Sequence, residues 1–173
     1  NGIKYIIGDK TDVLSRLIKC AKLENATDVY RITSESPFPY INLVNSAWKE
    51  HCKSNNDATF LDEIIDGCGF EIIKVSALEK SHNNGDDRHR SELCTQYIRE
   101  NLGNFKVKII QPPKHLIRKD LRLTVDNPED LVVCRAIYNE LKDKDNFELE
   151  DIISFLDDNE NLKKLTYKFC ETG

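Results

Sequence analysis

Apolar residues along the chain fall into two alternating periods. Ile3, Tyr5 and Ile7 sit at period-two spacing, which predicts a short strand ending at Gly8-Asp9. Val13, Leu14, Leu17, Ile18 and Ala21 then recur at helical spacing after Asp12, which predicts a helix. The β-branched stretch 29–33 predicts a second strand, broken by Pro37 and Pro39. Ile41, Val44, Ala47, Trp48 and Cys52 form one amphipathic face. Strands are predicted over 58–65 and 70–75, a helical turn over 77–80 and a polar loop over 82–90. A helix over 92–101 stops at Gly103.

Phe105, Val107 and Ile109 predict a strand running to Pro112-Pro113, and Leu121, Leu123 and Val125 predict another. Asn127-Pro128-Glu129-Asp130 opens a helix with Asn as cap, Pro at the first helical position and two acids at the positive end of the dipole. Leu149, Ile152, Ile153 and Leu156 predict a last amphipathic helix, with a polar tail over 157–161. Strands alternating with helices predict a single α/β domain over 1–173 with a largely parallel sheet.

Composition narrows the class. The 173 residues are 39% hydrophobic and 32% charged, which excludes a disordered or fibrous chain. A net charge of -5 argues against a general nucleic-acid binder. No apolar run approaches the roughly 18–20 residues of a membrane span. Six widely spread cysteines with no C-x-x-C pair read as reduced thiols of a cytoplasmic protein. The chain contains no methionine and begins with Asn.

Ligands of open α/β sheets sit beyond the carboxyl ends of the strands. That rule selects Glu35, after the strand over 29–33, and Asp126, after the strand over 121–125. Two hard carboxylates at such a place suit Mg²⁺, which takes one or two of them together with substrate phosphates. Equally, Asp126 is a helix-start residue and Glu35 a solvated turn residue. The basic stretch 105–122 favours an anionic ligand or is a pair of solvated strand faces. His82 and His89 bracket Asp86 and Asp87, but the spacing matches no common zinc pattern. There is no serine-nucleophile motif, no H-E-x-x-H and no glycine-rich phosphate loop.

The run Leu121-Arg122-Leu123-Thr124-Val125-Asp126-Asn127-Pro128-Glu129-Asp130-Leu131 resembles the R-L-T-V-D-x-P-E-D-L segment of cytidylyltransferases of the spore coat polysaccharide biosynthesis type. These are relatives of the CMP-acylneuraminate and CMP-Kdo synthetases. Asp12-Val13-Leu14-Ser15-Arg16, Arg31-Ile32-Thr33-Ser34-Glu35-Ser36-Pro37 and Thr95-Gln96-Tyr97-Ile98-Arg99 resemble further family segments in the same order.

The resemblance implies a nucleotide-diphospho-sugar transferase-like fold, Rossmann-like, with a mixed, mostly parallel sheet flanked by helices. It implies transfer of CMP from CTP to a sugar or sugar acid with release of pyrophosphate, Mg²⁺ as cofactor, and a homodimer. Arg31, Glu35 and Asp126 align with catalytic positions, Glu35 and Asp126 with the metal ligands, and Ser34 with a cofactor-binding turn. Glu71, Thr95 and Tyr97 align with substrate-binding positions. It further implies that the family's opening strand, phosphate-cradling loop and helix lie outside this chain, which alone is then expected to be inactive.

Four departures favour an alternative, a non-catalytic module that binds a nucleotide sugar or a partner. Ser34-Glu35-Ser36 replaces G-D-C, Gly69 replaces the Asp of G-L-D, Ser91-Glu92-Leu93 replaces R-E-H, and Tyr40 stands where Asp is frequent.

Overall fold

Helix α1 (Val13–Leu23) starts where expected because Asp12 caps it, its carboxylate accepting the Ser15 N–H at 2.7 Å. The computed structural model describes residues 2–170 and divides into two compact units, Asn1–Arg31, Asn45–Phe60 and Glu71–Ile109 in one, Ile32–Val44, Leu61–Phe70 and Ile110–Gly173 in the other.

The first unit carries strands β1 (Asp28–Arg31), β2 (Ala58–Leu61), β3 (Phe70–Lys74) and β4 (Val107–Ile109), apart from the end residues Leu61 and Phe70. They form a mixed sheet of order β1-β3-β2-β4, with β1 antiparallel to β3 and β2 parallel to β4. Helices α2 (Val44–Ser54), α3 (Val75–Asn84) and α4 (Gln96–Glu100) accompany it. Leu14, Phe60, Ile73, Leu78, Ile98 and Phe105 make the core, each full burial being worth about 1.5–3 kcal/mol. Behind β1 and β2, the buried His51 ring is held at both nitrogens, by the Thr59 hydroxyl at 2.9 Å and the Asp28 carboxylate at 3.0 Å.

The second unit is built on α5 (Pro128–Leu141), α6 (Leu149–Asp158) and α7 (Glu160–Thr166), which pack on one another. Val133, Ile137, Ile152, Leu156 and Leu123 are among its buried side chains. Arg118 ties the loop before Leu121 to α6 through Asp120 and Asp157, and Lys163 of α7 joins the same two carboxylates.

Several expectations are corrected. The strand over 3–7 is absent: Ile3, Tyr5 and Ile7 are more than 80% exposed, and among the described residues no strand pairs with them. Isolated strands are not stable in water, whatever their alternation. The strand over 121–125 reduces to one parallel bridge, Arg122 with Asp66. Gly67, with φ at +86°, lies so close to this segment that a Cβ on it would stand 2.5 Å from the Thr124 nitrogen. The turn over 77–80 is instead part of the ten-residue α3, which buries Val75, Ala77, Leu78 and Ser81 along one face. The helix over 92–101 shortens to α4, since the Glu92 carbonyl turns aside to accept from Arg31 and Cys94. The polar tail over 157–161 gives way to α7.

Candidate functional site

Within the first unit the site is centred on Glu71. Register pairing places Arg31 opposite Glu71 across β1 and β3. The Glu71 carboxylate, 11% exposed, accepts from Arg31 Nη1 at 2.7 Å, Thr95 Oγ1 at 2.6 Å and Arg99 Nη2 at 3.0 Å. Arg31 Nη2 also donates to the Glu92 carbonyl at 2.9 Å, and the Arg99 guanidinium lies 3.9 Å above the Phe60 ring centre. The two guanidinium groups and the Thr95 hydroxyl thus converge on one carboxylate, which fixes the position of both arginines. Tyr97 is not part of this constellation. Its ring meets His89 and Phe105 edge to face, with centroids 5.2 and 6.1 Å away.

His82 and His89 also part company. His82 Nε2 meets Asp12 Oδ2 at 2.7 Å, whereas His89 lies between Asp86 and Glu100.

Within the second unit the residues from the cytidylyltransferase-like segment form a charged frame around Arg122. This side chain, 13% exposed, donates to Asp66 at 2.5 Å, to Asp130 at 3.2 Å and to Asp126. Asp130 is fully buried and does two jobs at once. Its Oδ2 accepts the backbone N–H groups of Asp126 and Asn127 at 3.1 and 2.9 Å, closing the capping box of α5, while Oδ1 takes Arg122. Burial raises the Asp130 pKa, but the Asn127, Asp126 and Arg122 hydrogen bonds outweigh it and hold the carboxyl below its ordinary value. Asp126 therefore stands on a fixed base with its own carboxylate half exposed.

Glu35 belongs to the same unit. Its carbonyl accepts the Val125 N–H at 2.9 Å, which joins the turn carrying Glu35 to the residue before Asp126. Ser34 is exposed, and its hydroxyl donates to Glu35 Oε2 at 3.2 Å.

The donor chemistry fits a magnesium ion. Glu35 and Asp126 are hard oxygen donors on adjoining segments, and Mg²⁺ completes its shell with water and substrate phosphate rather than with a protein cage. Among the described residues no group of three or more His, Cys, Asp or Glu side chains could hold a metal, so such an ion would depend on substrate for much of its coordination.

Sequence reasoning passed over Arg99, Arg122, Asp130 and Asp66. The first three stand inside the quoted motifs, and the Arg122, Asp126, Asp130 spacing of four was available as a signal. Asp66, 56 residues from Arg122 in the chain, offered none.

The solved structure of a cytidylyltransferase from Leptospira borgpetersenii matches this fold with a TM-score of 0.82 at 21% identity, over 93% of this chain and 68% of that one. The architecture is thus of the nucleotide-diphospho-sugar transferase-like class. No family model matches the chain. Uncharacterized protein MJ1063 of Methanocaldococcus jannaschii is 33% identical over 167 residues, covering 95% of this chain and 67% of that protein. The spore coat polysaccharide biosynthesis protein SpsF of Bacillus subtilis is 23% identical over 167 residues, covering 91% of this chain and 66% of that protein. The chain belongs to the same protein family as MJ1063, is similar to SpsF over nearly all of its length, and has the fold of the Leptospira cytidylyltransferase. It spans about two thirds of the length of each protein it matches.

Proposed function

We propose that the protein acts in surface-polysaccharide biosynthesis as a CTP-dependent nucleotidyltransferase. A sugar hydroxyl oxygen attacks the α-phosphorus of CTP, the bond to the β-phosphate oxygen breaks, pyrophosphate leaves, and the hydroxyl proton passes to solvent. The observation that carries this reading is the Arg122 frame, in which a fully buried Asp130 fixes the backbone on which Asp126 is presented. A rigid base under a half-exposed carboxylate is what positioning chemistry requires.

Asp126 and Glu35 would hold the magnesium ion, which when bound offsets charge on the triphosphate and polarises the α-phosphoryl group. Ser34 orients Glu35. Arg31 and Arg99, held in place by Glu71 and Thr95, would set two positive charges near an anionic ligand. Asp126→Asn keeps the shape and removes the negative charge. In the complete protein, pyrophosphate release with CTP, Mg²⁺ and sugar should fall at least 100-fold while the thermal midpoint stays within a few degrees. Undiminished turnover would remove Asp126 from the chemistry.

One observation favours the second reading, a binding module without transfer activity. A Cβ at Gly69, where the family has an acid, would stand 2.4 Å from the Leu61 carbonyl oxygen, so this backbone has no room for that carboxylate. CTP with Mg²⁺ should raise the thermal midpoint under either reading that involves nucleotide. Stabilisation without pyrophosphate release from any sugar supports the module.

A further inference from the structure

The second unit contains a cavity of about 560 Å³ between the segment that follows Ser36 and the start of α6. Phe38 and Phe147 line it and meet edge to face with ring centroids 6.2 Å apart, and Ile152 adds a buried aliphatic surface. Its polar groups are few and paired. Asn42 Nδ2 donates to Glu148 Oε2 at 2.7 Å, and the Glu148 carboxylate also caps α6. Tyr40 is buried beside them. Burial raises its phenol pKa and the nearby Glu150 and Glu148 add to this, against a hydrogen bond with Asn42 that lowers it, so the hydroxyl keeps its proton at neutral pH.

Glu148 is the sole charged group among the described residues that line this space. An entering carboxylate or phosphate would meet like charge and lose its hydration with no cation to replace it. A pyranose ring meets complementary chemistry. Its C–H face packs on aromatic carbon, and its hydroxyls find an amide, a carboxylate and a phenol, which between them offer donors and acceptors. The volume is in the ordinary range for small-molecule sites. Pro37 at its edge follows Glu35 by two residues, so the cavity continues from the segment that carries a candidate metal ligand.

We infer that this cavity holds the hydroxylated, carboxylate-free end of a pyranose sugar, through the Phe38 and Phe147 rings and the Asn42–Glu148 pair. The inference rests on the sugar-transfer reading above and narrows it: a neutral glycan sugar fits this pocket, and a sugar acid fits only with its carboxylate directed elsewhere.

Saturation-transfer NMR on the protein, without nucleotide, tests it with methyl glucoside and methyl glucuronide as probes. The glucoside should bind at least tenfold more tightly than the glucuronide. Phe147→Ala should weaken glucoside binding at least fivefold. Asn42→Asp, which keeps the size of the side chain but sets a second carboxylate against Glu148, should do the same. Circular dichroism establishes that both variants remain folded.

Failure of the folded wild-type protein to bind the glucoside overturns the inference, as does equal or tighter binding of the glucuronide or unchanged binding by both variants. The two readings fail separately. Glucoside binding with the expected variant losses upholds the cavity even when no nucleotidyl transfer occurs. Transfer activity in which Phe147→Ala keeps the wild-type sugar KM removes the cavity from the account and leaves the reaction in place.

Discussion

Asp130→Asn perturbs the second unit at its most connected buried atom pair. The wild-type carboxylate is fully buried and accepts two backbone N–H groups, the Asn127 amide and Arg122. The asparagine keeps one acceptor oxygen and turns an NH₂ toward groups that are themselves donors. Loss of a capping side chain costs about 1 kcal/mol. Loss of a hydrogen bond to a charged group costs about 1.5–3 kcal/mol. Arg122 keeps Asp66 and Asp126, so it is not left as an unpaired buried charge and the larger penalty for such a charge does not apply.

The expected destabilisation is therefore about 2–4 kcal/mol, read as a shift of the urea midpoint at neutral pH with an unchanged slope. The sign of its pH dependence follows from the lowered folded-state pKa. The carboxylate's contribution is present above its ordinary pKa and is lost as pH falls through the lower folded value. The wild-type advantage over Asp130→Asn should thus shrink on acidification below about pH 4, the ordinary Asp range. A midpoint shift worth less than about 0.5 kcal/mol would refute the view that Asp130 is the base on which Asp126 stands.

Two further perturbations probe the same unit. Asp157 is held at a pKa of about 2, first by its hydrogen bond from Arg118, against an ordinary 3.8. Its contribution is present above pH 4 and lost between about pH 4 and 2. With the side chain 42% exposed, screening leaves it worth on the order of 1 kcal/mol, so Asp157→Asn should flatten the wild-type loss of stability by that amount in acid urea titrations. Gly67→Ala places a Cβ 2.5 Å from the Thr124 nitrogen at a positive φ, and should lower stability by at least about 2 kcal/mol in thermal unfolding.

What the sequence disclosed divides by the range of the interactions. Helix α5 was legible because Asn127, Pro128 and Asp130 write its start into four consecutive residues. The capped α1 was legible for the same local reason, and β2 and β3, buried on both faces, were legible as short continuous apolar runs. Residues 121–125 misled because Leu121 and Leu123 are buried in alternation without any ladder, and burial alone produces the pattern. Ile3, Tyr5 and Ile7 misled in the opposite way, since alternation supplies a strand but not a neighbour for it.

The site shows the same division. Arg31, Glu71 and Thr95 were selected in advance, and they meet. Tyr97, two residues from Thr95, turns into the core, while Arg99, one helical turn from Thr95, reaches Glu71. Helical phase explains that exchange, and a motif read as a string of letters does not contain it. The Arg122 frame closes through Asp66, across a separation no local pattern spans.

The central claim is nucleotidyl transfer, and label transfer tests it most directly. CTP labelled at the α-phosphorus is incubated with the protein, Mg²⁺ and a panel of neutral sugars and sugar acids. For the complete protein, with the phosphate-cradling segment the family resemblance implies, the account predicts that the label moves onto one sugar as its CMP conjugate in step with release of one pyrophosphate, and that Asp126→Asn abolishes both. Folded protein that binds CTP but leaves the label on unreacted nucleotide with every sugar would contradict it.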